Sequence, residues 1–437
     1  MKVKISLIVL VYIGVLGFLG CSPSTVPASP SPVLTSIEKV ISETPASVPI
    51  SVTPTNTPLT SCISIIEQPP QPPPARGKIV LSGTPYYSGT SLFNQSYLMD
   101  LNSEEEISLP QMENKYIIDG SFSVSPNREW LEYAQASSNQ NEPLKVTIHV
   151  VAMDGVEHKV ISAGINQRGS VWINNNELLV ENLEENAAFS PENPRATLWL
   201  FNPFTGEKQK LFNDFPDQWN GDNLYWEFNL SRVIYNPALT RAIYPTFVSP
   251  DRVMRLVNVQ TNNILANVPT NDYGKFPSWS PDGRQLVFAT QTNKQADWDS
   301  YWDEIFILSE DGKLVQLTRL SETNGYSYIT GLSWSQDSRH VAFWVNNSDW
   351  EKGHTGVHLA IADIHTGETR EYCDIGNSEG LVYIPWDSPI WSPDGKYLLV
   401  NLEDPNNESH ILVVLVEVIT GKTFRIVENY RAVGWLE

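Results

Sequence analysis

The stretch that decides the fold is Trp279-Ser280-Pro281-Asp282-Gly283-Arg284-Gln285-Leu286-Val287-Phe288. Proline presets φ for the second position of a turn, aspartate bonds its own backbone, and glycine accepts positive φ. The tryptophan ends one strand, and Leu286-Val287-Phe288 opens the next. Ten residues thus encode a tight antiparallel hairpin.

The same hairpin recurs along the chain. Close copies are Trp334-Ser335-Gln336-Asp337-Ser338-Arg339-His340-Val341-Ala342-Phe343 and Trp391-Ser392-Pro393-Asp394-Gly395-Lys396-Tyr397-Leu398-Leu399-Val400. Weaker copies start at Val124, Trp172 and Tyr235, and Val433-Gly434-Trp435 is a truncated start. After most copies comes a third strand, such as Ile305-Phe306-Ile307-Leu308, then a second turn. Those turns are Asp154-Gly155, Thr205-Gly206, Asp311-Gly312, Thr366-Gly367 and Thr420-Gly421. A short fourth strand follows. Four antiparallel strands repeated at this period make the blades of a β-propeller.

Anchors at 124, 172, 235, 279, 334, 391 and 435 predict an all-β, seven-bladed propeller, with six blades the alternative. Trp435 has no room for partners after it. Ile79-Val80-Leu81, Tyr97-Leu98-Met99-Asp100 and Ile107-Ser108-Leu109 have no inner strand before them. Joining the C-terminal strand to this N-terminal set completes one blade and removes two open edges.

The repeats resemble the WD40-like (PD40) repeats of TolB-type propeller lipoproteins. They are similar also to the propeller domains of prolyl oligopeptidase-type enzymes and of oligogalacturonate lyase. The resemblance covers residues 76–437. It implies the fold, while the function must be argued from the site. Trp279, Trp334 and Trp391 are expected between blades.

The chain has 437 residues and a formal net charge of -21, which speaks against nucleic acid as a partner. Residues 1–20 combine Lys2 and Lys4 with an apolar run ending at Leu19-Gly20-Cys21, a secretory signal. It resembles a bacterial lipoprotein signal, which implies acylation of Cys21 with palmitate-type chains, and Phe18 departs from the leucine that family prefers. The expected location is the extracytoplasmic side of the cell membrane, in the periplasm or at the cell surface.

Residues 21–75 are rich in Pro, Ser and Thr and read as a disordered tether. Cys62 lies in this tether and Cys373 in the body. Outside the cytoplasm the two thiols can pair, stapling the tether to the body, or stay free.

Short turns fall on one face of the ring and long loops on the other, where binding is expected. The long loops mix aromatics with acids: Trp298, Asp299, Tyr301 and Trp302 in one, Trp219 and Trp226 in another, Trp350 in a third, Trp386 and Asp387 in a fourth. Such groups stack on sugars or hold cations. No G-x-S-x-G elbow, Walker loop or H-E-x-x-H motif occurs.

Asp297, Asp299 and Asp303 have the spacing of a calcium loop, but Trp302 and Leu308 replace its glycine and glutamate. His354 and His358 share one face of a strand, lack a third ligand in sight, and are expected at the surface. The reading is therefore a lipid-anchored monomer without metal or cofactor, more a binding module than an enzyme. Its expected partner is an envelope or extracellular protein or glycan. The alternative is a polysaccharide lyase or glycan hydrolase.

Overall fold

The structure is a computed structural model. It describes residues 56–57, 65–66, 74–83, 96–110, 115–117, 122–137, 145–165, 170–181, 198–211, 233–248, 251–269, 275–292, 302–324, 327–346, 356–372, 382–384, 387–404 and 407–437. All belong to one compact unit, Val52–Glu437.

Seven antiparallel sheets follow one another along the chain. Blade 1 draws on both ends of the body. Its innermost strand is Tyr430–Leu436, followed outward by Lys78–Gly83, Ser96–Asp100 and Glu106–Ser108. Ile79 pairs with Trp435 in register, so the expected closure is present.

Blade 2 is built on Trp130–Ser137, Lys145–Ala152 and His158–Ile165; blade 3 runs from Ser170–Trp172 to Lys208–Leu211. Blade 4 runs from Ile234–Tyr235 to Ile264–Pro269, and blade 5 from Lys275–Trp279 to Leu314–Gln316. Blade 6 runs from Tyr328–Trp334 to Thr369–Glu371. Blade 7 runs from Ile390–Trp391 to Thr423–Glu428. Among the described residues the only α-helix is Leu320–Asn324.

The turn chemistry is the one the sequence encodes. In blade 5, Ser280 Oγ donates to Asp282 Oδ1 at 2.6 Å and accepts from Gln285 N, while Gly283 N donates to Ser280 O. Ser335–Asp337, Ser392–Asp394 and Ser125–Asn127 repeat the hydroxyl–carboxyl or hydroxyl–amide bond. The residue in the place of Gly283 has positive φ in five of the copies: Arg128, Leu239, Gly283, Ser338 and Gly395. Every third-to-fourth turn also has one such residue: Glu104, Gly155, Gly206, Asn262, Gly312, Gly367 and Gly421.

The motif tryptophans are inter-blade core. Trp279, Trp334 and Trp435 pack in separate buried clusters that join neighbouring blades. Each indole also donates back to the previous blade: Trp279 to Ile234 O, Trp334 to Ser278 O and Trp391 to Ser333 O. Trp435 donates to Arg76 O, just ahead of blade 1.

One difference from the sequence reading concerns the tether. Asn56–Thr57 adds in parallel to the outermost strand of blade 6, and Ile65–Ile66 adds in parallel to that of blade 7. The averaged composition of the segment hides a charge-free part, residues 44–66, and within it Asn56–Thr57 and Ile65–Ile66 meet edge N–H and C=O groups.

Candidate functional site: the two rims of the ring

The short-turn rim is bridged across its axis by blade 2. Its turn Ser125-Pro126-Asn127-Arg128 reaches inward. Gln336 Nε2, from blade 6, donates to Pro126 O at 3.0 Å. Arg128 Nη1 donates to Trp391 O at 3.0 Å and Trp435 O at 3.2 Å, bonding blades 7 and 1. Asn127 N donates to Asn175 Oδ1 of blade 3, and Glu437 N to Arg128 O. Burial lowers the Arg128 pKa, opposed by the nearby charge of Glu437. Blade 2 thus touches four other blades here. The sequence signal was the arginine standing where the close copies have glycine or serine.

At the long-loop rim a chain of contacts joins blades 6, 7 and 1. Gly331 has φ +63°, and a Cβ there would lie 2.6 Å from Trp344 Cδ1. That space lets the Trp344 indole N–H reach Asp387 O at 2.6 Å. The Asp387 carboxylate accepts from both Nε and Nη2 of Arg431, on the inner strand of blade 1. Its Oδ2 also accepts from Asn401 Nδ2 at 2.8 Å. Asn401 in turn exchanges two bonds with the Ala432 backbone. Asp387 is therefore a brace of the rim, not a free acceptor for ligand.

Trp302 is half-buried at this rim. It bridges Ser327 in parallel, and its carbonyl accepts from Thr292 N. Trp298, Asp299, Tyr301, Trp350, Trp386, Trp219 and Trp226 lie outside the described residues, as do His354, Cys21, Cys62 and Cys373. The structure thus brings Asp387 to Arg431 and places Trp302 beside Ser327.

Two expectations are corrected. Asp303, spaced as a calcium-loop acid, instead opens the strand Asp303–Ser309 with Glu304 beside it, and both are fully buried. Asp303 Oδ2 accepts from Ile329 N. Glu304 accepts from Leu320 N, Ser321 N and the hydroxyls of Thr318 and Ser321. Backbone amides after blade 5 need these acceptors, so the carboxylates are drawn inward. His358 is not at the surface either. It is 6% exposed, with Nε2 2.8 Å from Glu371 Oε2.

Sequence reasoning also missed Glu132. The other blades carry Val80, Leu179, Ile243, Val287, Ala342 or Leu399 at its place in the second strand. Glu132 Oε1 accepts from Ser170 Oγ of blade 3. Burial pushes its pKa well above the usual carboxylate range. Among the described residues no group of three or more His, Cys, Asp or Glu is placed to hold a metal.

Fold and closure define a seven-bladed β-propeller with one rim bridged across its axis. No family model matches the chain. It is 28% identical over 153 residues to a Bacillus subtilis (strain 168) protein described as the uncharacterized peptidase YuxL, a match covering 35% of this chain and 20% of that protein. The chain thus spans about a fifth of that relative.

Among solved structures it is similar to TolB from Acinetobacter baumannii (13% identity, TM-score 0.38, 82% of this chain and 83% of that one). It is similar also to the propeller domain of the Trilobed protease from Pyrococcus furiosus (13%, 0.47, 73% and 85%). A third likeness is to acylaminoacyl peptidase of Pyrococcus horikoshii (11%, 0.47, 72% and 46%). At such identities the likeness is one of fold alone.

Proposed function

We propose that the protein is a lipid-anchored extracytoplasmic propeller that binds an envelope or extracellular protein or glycan at its long-loop rim without catalysing a reaction on it. The observation that supports this reading is the bridge that blade 2 makes across the short-turn rim. With the Pro126–Gln336 contact across the axis, a ligand reaches the ring from the long-loop side. The aromatic and acidic loops there, Trp298 to Trp302 and Trp386 above all, supply stacking faces, and the charge of -21 favours cationic groups. The peptidase relative lends no activity, because this chain has no G-x-S-x-G nucleophile elbow.

Cys21 carries the anchor in this reading. Cys62 and Cys373 either pair or stay free; the register pairing of Thr57 with Arg370, their near neighbours in the chain, supports the pair.

The test is binding of the Cys21→Ser chain to a panel of envelope glycans and proteins, beside a variant with Trp298, Trp302 and Trp386 replaced by alanine. Binding that survives the triple replacement rejects the rim. Release of unsaturated or reducing sugar ends from the panel selects the lyase or hydrolase instead. Fatty-acid label that persists in Cys21→Ser rejects the anchor.

A further inference from the structure

An outermost propeller strand has a row of free N–H and C=O groups and needs protection. Lysines guard three such edges here: Lys159 in blade 2, Lys208 and Lys210 in blade 3, and Lys313 beside the short edge of blade 5. Among the described residues no strand is added to the outermost strand of blade 4, where Ile264 and Leu265 are exposed at 42% and 38%. Blades 6 and 7 differ from all of these. Thr369 and Thr423 stand on their outermost strands yet are fully buried. The cover includes the chain's own N-terminal segment, paired Asn56 with Thr369 and Ile65 with Thr423.

The sense of this pairing carries information. A fourth strand starts at a short turn, such as Asp363–Glu368, and runs toward the long-loop rim. Both added strands run parallel to fourth strands. The chain therefore enters each of them from the short-turn rim, which is also the rim bridged by Arg128.

We propose that Asn56–Thr57 and Ile65–Ile66 act as a strap bound to the outer edges of blades 6 and 7 and entered from the short-turn rim, so that the chain ahead of Asn56 departs from that rim. The bridged rim then faces the N-terminal attachment point, and the long-loop rim faces away toward partners. The membrane half of this statement rests on the lipid-anchor reading; the strap does not.

The experiment uses the full chain with Cys62→Ser and Cys373→Ser. In the first arm, Asn56→Cys is combined with Thr369→Cys or, as control, with Ile264→Cys, and a short bifunctional thiol reagent is added. The strap predicts at least tenfold more intramolecular crosslink in the 56/369 pair. Equal yields in the two pairs overturn the proposal.

In the second arm, a donor dye is placed on the short-turn rim by Asn262→Cys or on the long-loop rim by Thr292→Cys, with acceptor in the lipid headgroups of native membranes. Transfer must be stronger from position 262; equal or reversed transfer overturns the orientation. If the protein neither takes fatty-acid label nor sediments with membranes, the anchor reading fails. The same two donors are then read against an acceptor on the N-terminal amine. Stronger transfer from position 262 again supports the exit at the short-turn rim, and equal or reversed transfer overturns it.

Discussion

Arg128 is the residue through which the bridged rim is best tested. It holds φ at +60°, a conformation that costs a non-glycine residue about 1 kcal/mol. The motif places glycine at the same position in blades 5 and 7. The arginine is tolerated there because its guanidinium spans two carbonyls of two other blades. A hydrogen bond from a charged donor contributes about 1.5–3 kcal/mol. Burial of the guanidinium, visible in its lowered pKa, offsets part of that.

Arg128→Ala loses both bonds and keeps the backbone strain, so it should cost about 2–4 kcal/mol. Arg128→Gly loses the same bonds and relieves the strain, so it should be about 1 kcal/mol less destabilised than alanine. In urea, with a slope of at least about 3 kcal/mol/M for a body of this size, the alanine midpoint falls by up to roughly 1 M. Tryptophan fluorescence follows the transition. Hydrogen exchange of 430–437 should quicken, since Glu437 N bonds the Arg128 carbonyl. A wild-type midpoint for Arg128→Ala, or glycine less stable than alanine, would refute the keystone role.

Three further outcomes follow from the packing. Trp435→Ala, at a fully buried closure residue, should cost about 3–5 kcal/mol and broaden unfolding; an unchanged melting curve contradicts closure by this strand. Gly331→Ala should lose about 1–3 kcal/mol through overlap with Trp344, plus about 1 kcal/mol for positive φ, and a Trp344→Phe background should soften the overlap in calorimetry. Because burial raises the folded pKa of Glu132, the native state keeps a proton that the unfolded chain sheds above its ordinary value. That stabilisation is complete below the ordinary carboxylate pKa and is lost as pH rises toward the folded one. Glu132→Gln should flatten this fall in urea midpoints measured across the range, and an identical slope argues against the raised pKa.

The fold was legible because its signal is local. A hairpin written as Ser-Pro-Asp-Gly specifies its own turn, and repetition does the rest. Even the closure followed from counting, since Trp435 had a strand with no successors and Ile79 had successors with no inner strand. The short third-to-fourth turns at Glu104 and Asn262 escaped, because neither carries the glycine that marks the other five. Asp303 and Glu304 escaped for a different reason. Their acidity argued for solvent, while the backbone amides they satisfy lie 16 to 26 residues away. His358 was misplaced in the same way, its partner Glu371 being two strand-halves distant in sequence and adjacent in the sheet. Long-range polar satisfaction has no local pattern to read.

The region around blade 1 concentrates devices that the other blades lack, and ring mechanics supplies the reason. All seven blade-to-blade seams are spanned by continuous chain, and the break lies inside blade 1, whose innermost strand is joined to the rest of that blade only by hydrogen bonds and packing. Loss of those contacts opens the ring and exposes two sheet edges. The Trp344–Asp387–Arg431 chain ties blades 6, 7 and 1 at the long-loop rim, while Arg128 ties blades 7 and 1 at the other. The strap adds edge pairing to blades 6 and 7 before the chain enters blade 1. Any pull on the N-terminus therefore meets blades 6 and 7 before it reaches the closure. Such load-sharing suits a body held by its N-terminal end, and it predicts that removing Ile65 and Ile66 pairing weakens closure most when the N-terminus is under force.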